Sequence, residues 1–287
     1  MSKVRSADSA DSADPGLTQA LLRLGSLRVA DRRPAADLLG HGLADVAYLD
    51  PTFLSEVARS LPRPWIRAQQ VQDDPRAARN GVAPHPRAAS AVRGDDAEPG
   101  YVVLYNLEHL AEFRELATAL TEEVAALVGR REGGIGRLNL GAIVAPARSV
   151  VPAHPDQHHN VLLQIRGAKT VWVEAEPVRR RHDARVRRYY DCPTAATPDL
   201  PPAVRFDLGS ADGVYIPPDT FHWVQVGDEP SVGLSVGFDT GRTRAVVAAR
   251  RLDQSLRRRG LPAGGSAYPG GLTTSAKAAV VRARRAG

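Results

Sequence analysis

Lysine is scarce in this sequence: of 38 basic residues, only Lys3, Lys169 and Lys277 are lysine, and the rest are arginine. Cysteine is limited to Cys192, which excludes an intramolecular disulfide framework and suits a reducing compartment. Aromatic residues make up only 5% of the chain, so Leu, Val, Ile and Ala must fill most of any core. No apolar run approaches bilayer-spanning length, so no membrane partner is expected. The opening stretch "MSKVRSADSADSADPG" lacks the apolar segment of a secretory signal. Together with the lone cysteine, this makes a cytoplasmic location the expectation.

The chain has 287 residues and is 43% hydrophobic, enough for one large domain or two small ones. Its formal net charge is +6 and its pI about 9.8. A basic chain invites a nucleic-acid reading, but 32 acidic residues accompany the arginines. There is also no zinc-finger, RNP-like or helix-turn-helix signal, so nucleic acid is not the expected partner. Arginine in place of lysine fits a GC-rich genome. Lys3 and Lys277 lie towards the two ends, which leaves Lys169 as the one lysine in the body of the protein.

Patterning divides the chain into four parts. Residues 1–15 carry a small "SAD" repeat and read as a disordered tail. Residues 16–135 read as a helical region. It contains short helices in "LTQALLRLGS" and "PAADLLGHGLADVA", and a better one in "LDPTFLSEVARSLP". In the last, Asp50 is a capping residue, Pro51 suits the first turn and Pro62 follows the end. About residues 71–100 the chain is polar and rich in Pro, Gly, Ala and Arg, which predicts a mobile loop. "YVVLYNL" is a predicted strand. A long helix is predicted over "LEHLAEFRELATALTEEVAALVGR", with Leu107, Leu110, Leu116, Leu120, Val124 and Leu127 on one face. Residues 136–240 break into short β-rich runs at the spacing of an antiparallel sandwich or barrel. Residues 241–287 form a C-terminal helical segment and tail, whose helix ends in three arginines and Gly260. An apolar stripe on that helix (Val246, Ala249, Leu252, Leu256) predicts a homodimer through the flanking helices.

The chemistry concentrates in "VPAHPDQHHNVLLQIRGAKTVWV", Val151 to Val173. His154 and Asp156 are two residues apart, so on an extended segment both side chains share a face. "DGVYIPPDTFHWV" supplies a third group, His222. Two imidazoles and one carboxylate on one side of a metal leave other positions open, as an Fe(II) oxygenase binding a co-substrate and O2 requires. A closed zinc site would use four ligands, usually with thiolates. His158 and His159 are rivals for the metal, and His158 has the parity of His154 and Asp156. Trp172 and Trp223 read as core or pocket wall. Cys192 reads as a spectator thiol and "RRRHDARVRR", Arg179 to Arg188, as a charged loop or substrate lid.

The stretch resembles the JmjC/cupin-like Fe(II)- and 2-oxoglutarate-dependent oxygenases, and within them the asparaginyl hydroxylase of the hypoxia-inducible factor. The residues carrying the resemblance are Pro152, Ala153, His154, Asp156, Asn160, Gln164, Ile165, Gly167 and Lys169, then Asp212, Gly213, Tyr215, Pro217 and His222. It covers about residues 136–240. It implies a mainly β fold with flanking helices, specifically a double-stranded β-helix, the jelly-roll or cupin barrel. By the same resemblance His154, Asp156 and His222 would bind Fe(II), Lys169 would pair with the far carboxylate of 2-oxoglutarate, and Asn160 would line its pocket. Val151 and Gly237 depart from the hydroxylase, which has a threonine and an asparagine there. Asn139, Tyr105 and Ser235 are then the expected sources of the missing hydrogen bonds. The implied reaction hydroxylates a C–H bond of an amino-acid side chain in a protein, peptide or biosynthetic intermediate, with O2 consumed and succinate and CO2 released. The alternatives are N-demethylation and a non-catalytic cupin-like binding module. The His-x-His plus Glu motif of cupin isomerases and O2-only dioxygenases is not seen.

Overall fold

A computed structural model describes residues 22–23, 36–70, 72–78, 100–128, 132–175, 179–192, 196–197, 199–261, 263 and 276–279. The expected disordered tail, most of the expected mobile loop at 71–100 and most of the chain beyond 261 lie outside the described residues. The strands are β1 (Leu22–Arg23), β2 (Asp37–His41), β3 (Ile66–Gln70), β4 (Gly100–Tyr105), β5 (Ile135–Ala145), β6 (Val150–Pro155), β7 (His159–Arg166), β8 (Lys169–Glu174), β9 (Ala203–Leu208), β10 (Asp212–Ile216), β11 (Phe221–Val226) and β12 (Ser231–Thr240). The helices are α1 (Pro51–Ser60), α2 (Arg114–Leu127), α3 (Arg179–Asp191) and α4 (Gly241–Arg258).

The strands form two antiparallel sheets. One has eight strands in the order β1-β2-β10-β7-β12-β5-β4-β3, and the other has four in the order β6-β11-β8-β9. This corrects the expected closed barrel, because neither sheet closes on itself among the described residues. A barrel needs a continuous ladder between its edge strands. Among the described residues that edge is crossed by an isolated bridge between Gln72, just past β3, and Val150 of β6, and by one further hydrogen bond, from the Ala153 amide to the Pro75 carbonyl at 2.9 Å. A layer of side chains keeps the sheets apart instead: Leu162, Val171, Val173, Leu208, Val214, Ile216 and Val224 pack between them. The result is a two-sheet sandwich.

The larger sheet is covered on both faces. Its outer face buries Leu138, Leu140, Val161, Leu163, Leu234, Val236 and Phe238 in one core with Leu54 and Val57 of α1 and Leu116, Leu120 and Val124 of α2. At roughly 1.5–3 kcal/mol per fully buried aliphatic side chain, this core is the main stabilising mass of the molecule. The α1 signals act as read: Asp50 accepts from the Thr52 amide at 2.7 Å, and Pro51 opens the first turn. At the other end of the chain, Thr240 caps α4 in a reciprocal capping box with Thr243, and Gly260 takes the left-handed φ of 71° that ends the helix.

Three local expectations need correction. Within "PAADLLGHGLADVA", residues 37–41 form β2, because Gly213, Val214 and Tyr215 of β10 offer them a ladder, and tertiary pairing overrides weak helix propensity. The long helix begins only at Arg114. Asn106 is left-handed (φ 60°) and Leu110 extended, so residues 107–113 make two short 3-10 turns instead. The arginine-rich stretch is helix α3 rather than a loop, since His182 and Val186 find buried partners on the smaller sheet. On α4, Val246 and Ala249 of the apolar stripe are buried within the chain, and Leu252 and Leu256 are half-buried.

Candidate metal centre

The site lies on the inner side of the sandwich, where β6 ends. β11 runs antiparallel to β6 with His222 directly opposite His154, and the two rings stand 4.2 Å apart between centroids, tilted by 52°. Asp156 follows the last residue of β6. One ligand atom from each of His154, Asp156 and His222 lies within 4.8 Å of the others. The two imidazoles are oriented alike. Nδ1 of His154 donates to the Pro152 carbonyl at 2.8 Å, and Nδ1 of His222 to the Thr220 carbonyl at 3.1 Å. Both rings are thereby in the tautomer whose lone pair is on Nε2, the usual way a protein presents histidine to a metal. Nε2 of His222 is 3.7 Å from the Asp156 carboxylate. The donor set of two imidazole nitrogens and one carboxylate, converging from one side, fits Fe(II) with open coordination positions.

The Asp156 turn is clamped from behind by residues that sequence reasoning missed. The Asp219 amide donates to the Asp156 carbonyl at 2.6 Å, and Asp219 itself is left-handed (φ 59°), which aspartate tolerates better than most residues. The Asp219 carboxylate takes Arg250 of α4 at 2.6 Å and the Tyr190 hydroxyl of α3 at 3.2 Å, while the Arg250 guanidinium lies 4.3 Å over the Tyr190 ring. Burial, and then the negative charge of Asp219, push the Tyr190 hydroxyl well above its usual pKa, so it stays a neutral donor. A second clamp sits beside His222. Glu174 of β8 accepts from His182 at 2.9 Å, Arg185 at 2.6 Å and the Phe221 amide at 3.4 Å. The only advance signal for these contacts was the charge-rich run of α3, and nothing in its spacing named the partners.

Lys169 opens β8. It has the parity of Val171 and Val173 and projects between the sheets. It is 5% exposed, and its Nζ lies 2.5 Å from where a Cβ on Gly233 would be. Among the described residues it has no hydrogen-bond or carboxylate partner, and burial pulls its pKa down from 10.5 to about 7. His222 pairs with Val173, four residues from Lys169. That separation is about 13 Å at the strand rise.

The structure sorts the remaining expected residues. Asn160 is brought to the triad: its amide is 3.4 Å from the Asp156 carboxylate, and its oxygen accepts from Ser235 at 2.9 Å. Tyr105 packs against the cluster of Tyr101, Val103, Ala145 and Val226, with the Arg67 guanidinium 5.1 Å from its ring. Asn139 turns elsewhere, donating to Asn106 at 2.8 Å and Glu108 at 3.2 Å. His159 leaves the contest for the metal, because it faces the outer core. Its Nδ1 meets the Tyr215 hydroxyl at 2.7 Å, its ring stacks on Phe238 at 4.9 Å, and Glu132 is 3.6 Å from its Nε2. His158 is not in the triad group either. Trp172 and Trp223 stack at 6.0 Å and pack with Val186 of α3, as wall rather than platform. Cys192 is exposed. No described helix is long and apolar enough to cross a membrane.

Residues 138–246 match the family model described as a JmjC domain. No curated protein matches the chain. Among solved structures, YcfD of E. coli is similar over 90% of this chain at 17% identity with a TM-score of 0.50, and the chain spans 65% of that protein's length. YcfD, a ribosomal oxygenase, in complex with cobalt and 2-oxoglutarate is similar over 88% of this chain and 63% of its own, at 16% identity and a TM-score of 0.47. The Drosophila melanogaster CENP-C cupin domain covers 34% of this chain and 59% of its own, at 17% identity and a TM-score of 0.25. The domain match spans residues 138–246 of the 287, and the likeness to YcfD is one of fold.

Proposed function

We propose that the protein is an Fe(II)- and 2-oxoglutarate-dependent oxygenase that hydroxylates a C–H bond of an amino-acid side chain in a protein, peptide or biosynthetic intermediate. The observation that carries this reading is the convergence of His154, Asp156 and His222 within 4.8 Å on the inner face, with a buried, unpaired lysine farther along the same cleft. Bound Fe(II) would supply the activation of O2, with 2-oxoglutarate converted to succinate and CO2. The chain's own share is to bind, orient and exclude water. His154 and His222 present Nε2, Asp156 presents its carboxylate, and the backbone carbonyls behind the rings fix their orientation. Lys169 gives the far carboxylate of 2-oxoglutarate a charged partner where water is excluded, which makes the pairing stronger than at a surface. Asn160 and Ser235 hold the polar edge beside Asp156.

An N-demethylase would use the same residues, and only the substrate separates the two outcomes. The narrower likeness to the asparaginyl hydroxylase rests on motif residues alone, with Val151 and Gly237 against it. Residues 136–240 are in this reading the catalytic core, with the helical region 16–135 packed on it and 241–287 a C-terminal helical segment and tail. A homodimer through the flanking helices belongs to the proposal, and a solution mass of twice 30.8 kDa would support it. The test of the function is turnover. The Fe(II)-loaded protein should convert 2-oxoglutarate to succinate, faster with pooled peptides or cell extract. A protein that binds Fe(II) but never forms succinate under any of these conditions would leave the binding-module alternative standing.

A further inference from the structure

His158 is unused by the mechanism above, yet it sits at the site. It lies in the turn between β6 and β7, half-buried. Its ring rests on Gly237 of β12: a Cβ at that glycine would stand 2.9 Å from both Cδ2 and Nε2 of the imidazole, closer than real Cβ atoms come. Glycine is therefore what admits the ring. Gly237 pairs with Asn160 on one side and Asn139 on the other, so the imidazole covers the middle of the inner-face row that contains the Asp156 contact. Among the described residues, neither ring nitrogen of His158 has a hydrogen-bond partner. A half-buried imidazole without a protein partner, two residues from a triad carboxylate, is placed to meet a ligand.

The ligand end it meets follows from the strand. Lys169 sits against Gly233, and Gly233 and Gly237 are four residues apart on β12, about 13 Å. A diacid anchored at Lys169 and reaching the triad brings its keto-acid end to the Gly237 row. We propose that His158 donates a hydrogen bond to the keto-acid carboxylate of 2-oxoglutarate, and that Gly237 is small in order to seat that imidazole. The inference rests on the oxygenase reading and adds a co-substrate contact to it.

The experiment is an anaerobic titration of the Fe(II)-loaded protein with 2-oxoglutarate, followed by the absorption band that a keto acid develops on chelating Fe(II). His158→Ala should weaken 2-oxoglutarate about tenfold, the loss of one hydrogen bond to a charged group. Gly237→Ala should do the same by dislodging the ring, and His158→Gln should recover part of the loss. The double variant His158→Ala/Gly237→Ala should be no weaker than either single variant, because both remove one contact. Fe(II) affinity measured before 2-oxoglutarate, and the melting temperature of His158→Ala, should be unchanged. Wild-type binding with equal binding by His158→Ala overturns the His158 assignment alone, as does full additivity in the double variant. Absence of any 2-oxoglutarate band in the wild type overturns the oxygenase reading and this inference with it.

Discussion

In β12, Val232, Leu234, Val236 and Phe238 face the helices, whereas Gly233, Ser235 and Gly237 face the four-stranded sheet. β5 and β7 repeat the division: Leu138, Leu140, Val161 and Leu163 lie on one side, and Asn139, Gly141 and Asn160 on the other. The same backbone ladders serve both faces. What differs is side-chain volume. The outer face fills its space with branched aliphatics, which interlock with α1 and α2. Along β12 and beside the triad the inner face leaves space by using glycine and short polar residues, while Leu162, Val214 and Ile216 fill it elsewhere, and Lys169 and His158 occupy two of the hollows. A binding cleft here is a core face from which bulk has been withheld, and its position is held by the packed face behind it.

Substitutions on the two faces should therefore separate ligand binding from stability. The largest effect is expected at Asp156→Ala, which removes the only carboxylate of the triad. Fe(II) affinity should fall by more than the roughly 10- to 100-fold typical of losing an outer partner of a ligand, while the melting curve stays near wild type. Metal titration checks the first and calorimetry the second, and Fe(II) affinity unchanged in the variant would dismiss the triad. On the outer face, Leu234→Ala should cost about 2–5 kcal/mol of stability and leave Fe(II) affinity of the folded protein intact. If the aliphatic face instead controlled metal affinity, the division of labour argued above would not hold.

Lys169 comes next. Lys169→Ala should weaken 2-oxoglutarate by roughly ten- to a hundredfold, equivalent to about 1.5–3 kcal/mol, with little change for Fe(II) alone. Lys169→Arg should rescue poorly, since a wider guanidinium has to fit against Gly233. Equal 2-oxoglutarate affinity in wild type and Lys169→Ala would remove this assignment. The smallest effect is in pH dependence. The folded pKa of Lys169, about 7, lies below the unfolded 10.5, so between those values the unfolded state holds more protons. Its contribution to the stability of the ligand-free protein should rise with pH from about 7 to about 10.5, the burial penalty being fully present below 7. Binding 2-oxoglutarate needs the charged form, so affinity should fall above about pH 7, with proton uptake on binding, until the contribution of the contact is lost. A Lys169→Ala protein should lack that component, and parallel pH profiles in the two proteins would contradict it.

The sequence alone carried the triad, because His154, Asp156 and His222 belong to local patterns: an extended His-x-Asp, and a histidine just past a Pro-Pro turn. It also singled out Lys169, through its rarity, and marked the strands of the β core, as short β-rich runs broken by Gly, Pro and Asp. α1 was legible from Asp50 and Pro51, since caps act within one turn of the chain. Other features depended on partners distant in sequence. Residues 37–41 became a strand because β10 lay open beside them, and the arginine run became helix α3 because the smaller sheet offered cover to His182 and Val186. Two open sheets replaced the expected barrel because closure is a matter of edge strands meeting, which no single strand's pattern encodes. The Asp219–Arg250–Tyr190 clamp joins residues up to 60 positions apart, and His158 is separated from Gly237 by nearly 80. The sequence by itself determined which chemistry was available and on which local segments. Only the tertiary structure decided which side chains meet, because hydrogen bonds and steric fit act over a few ångströms in space and are blind to distance along the chain.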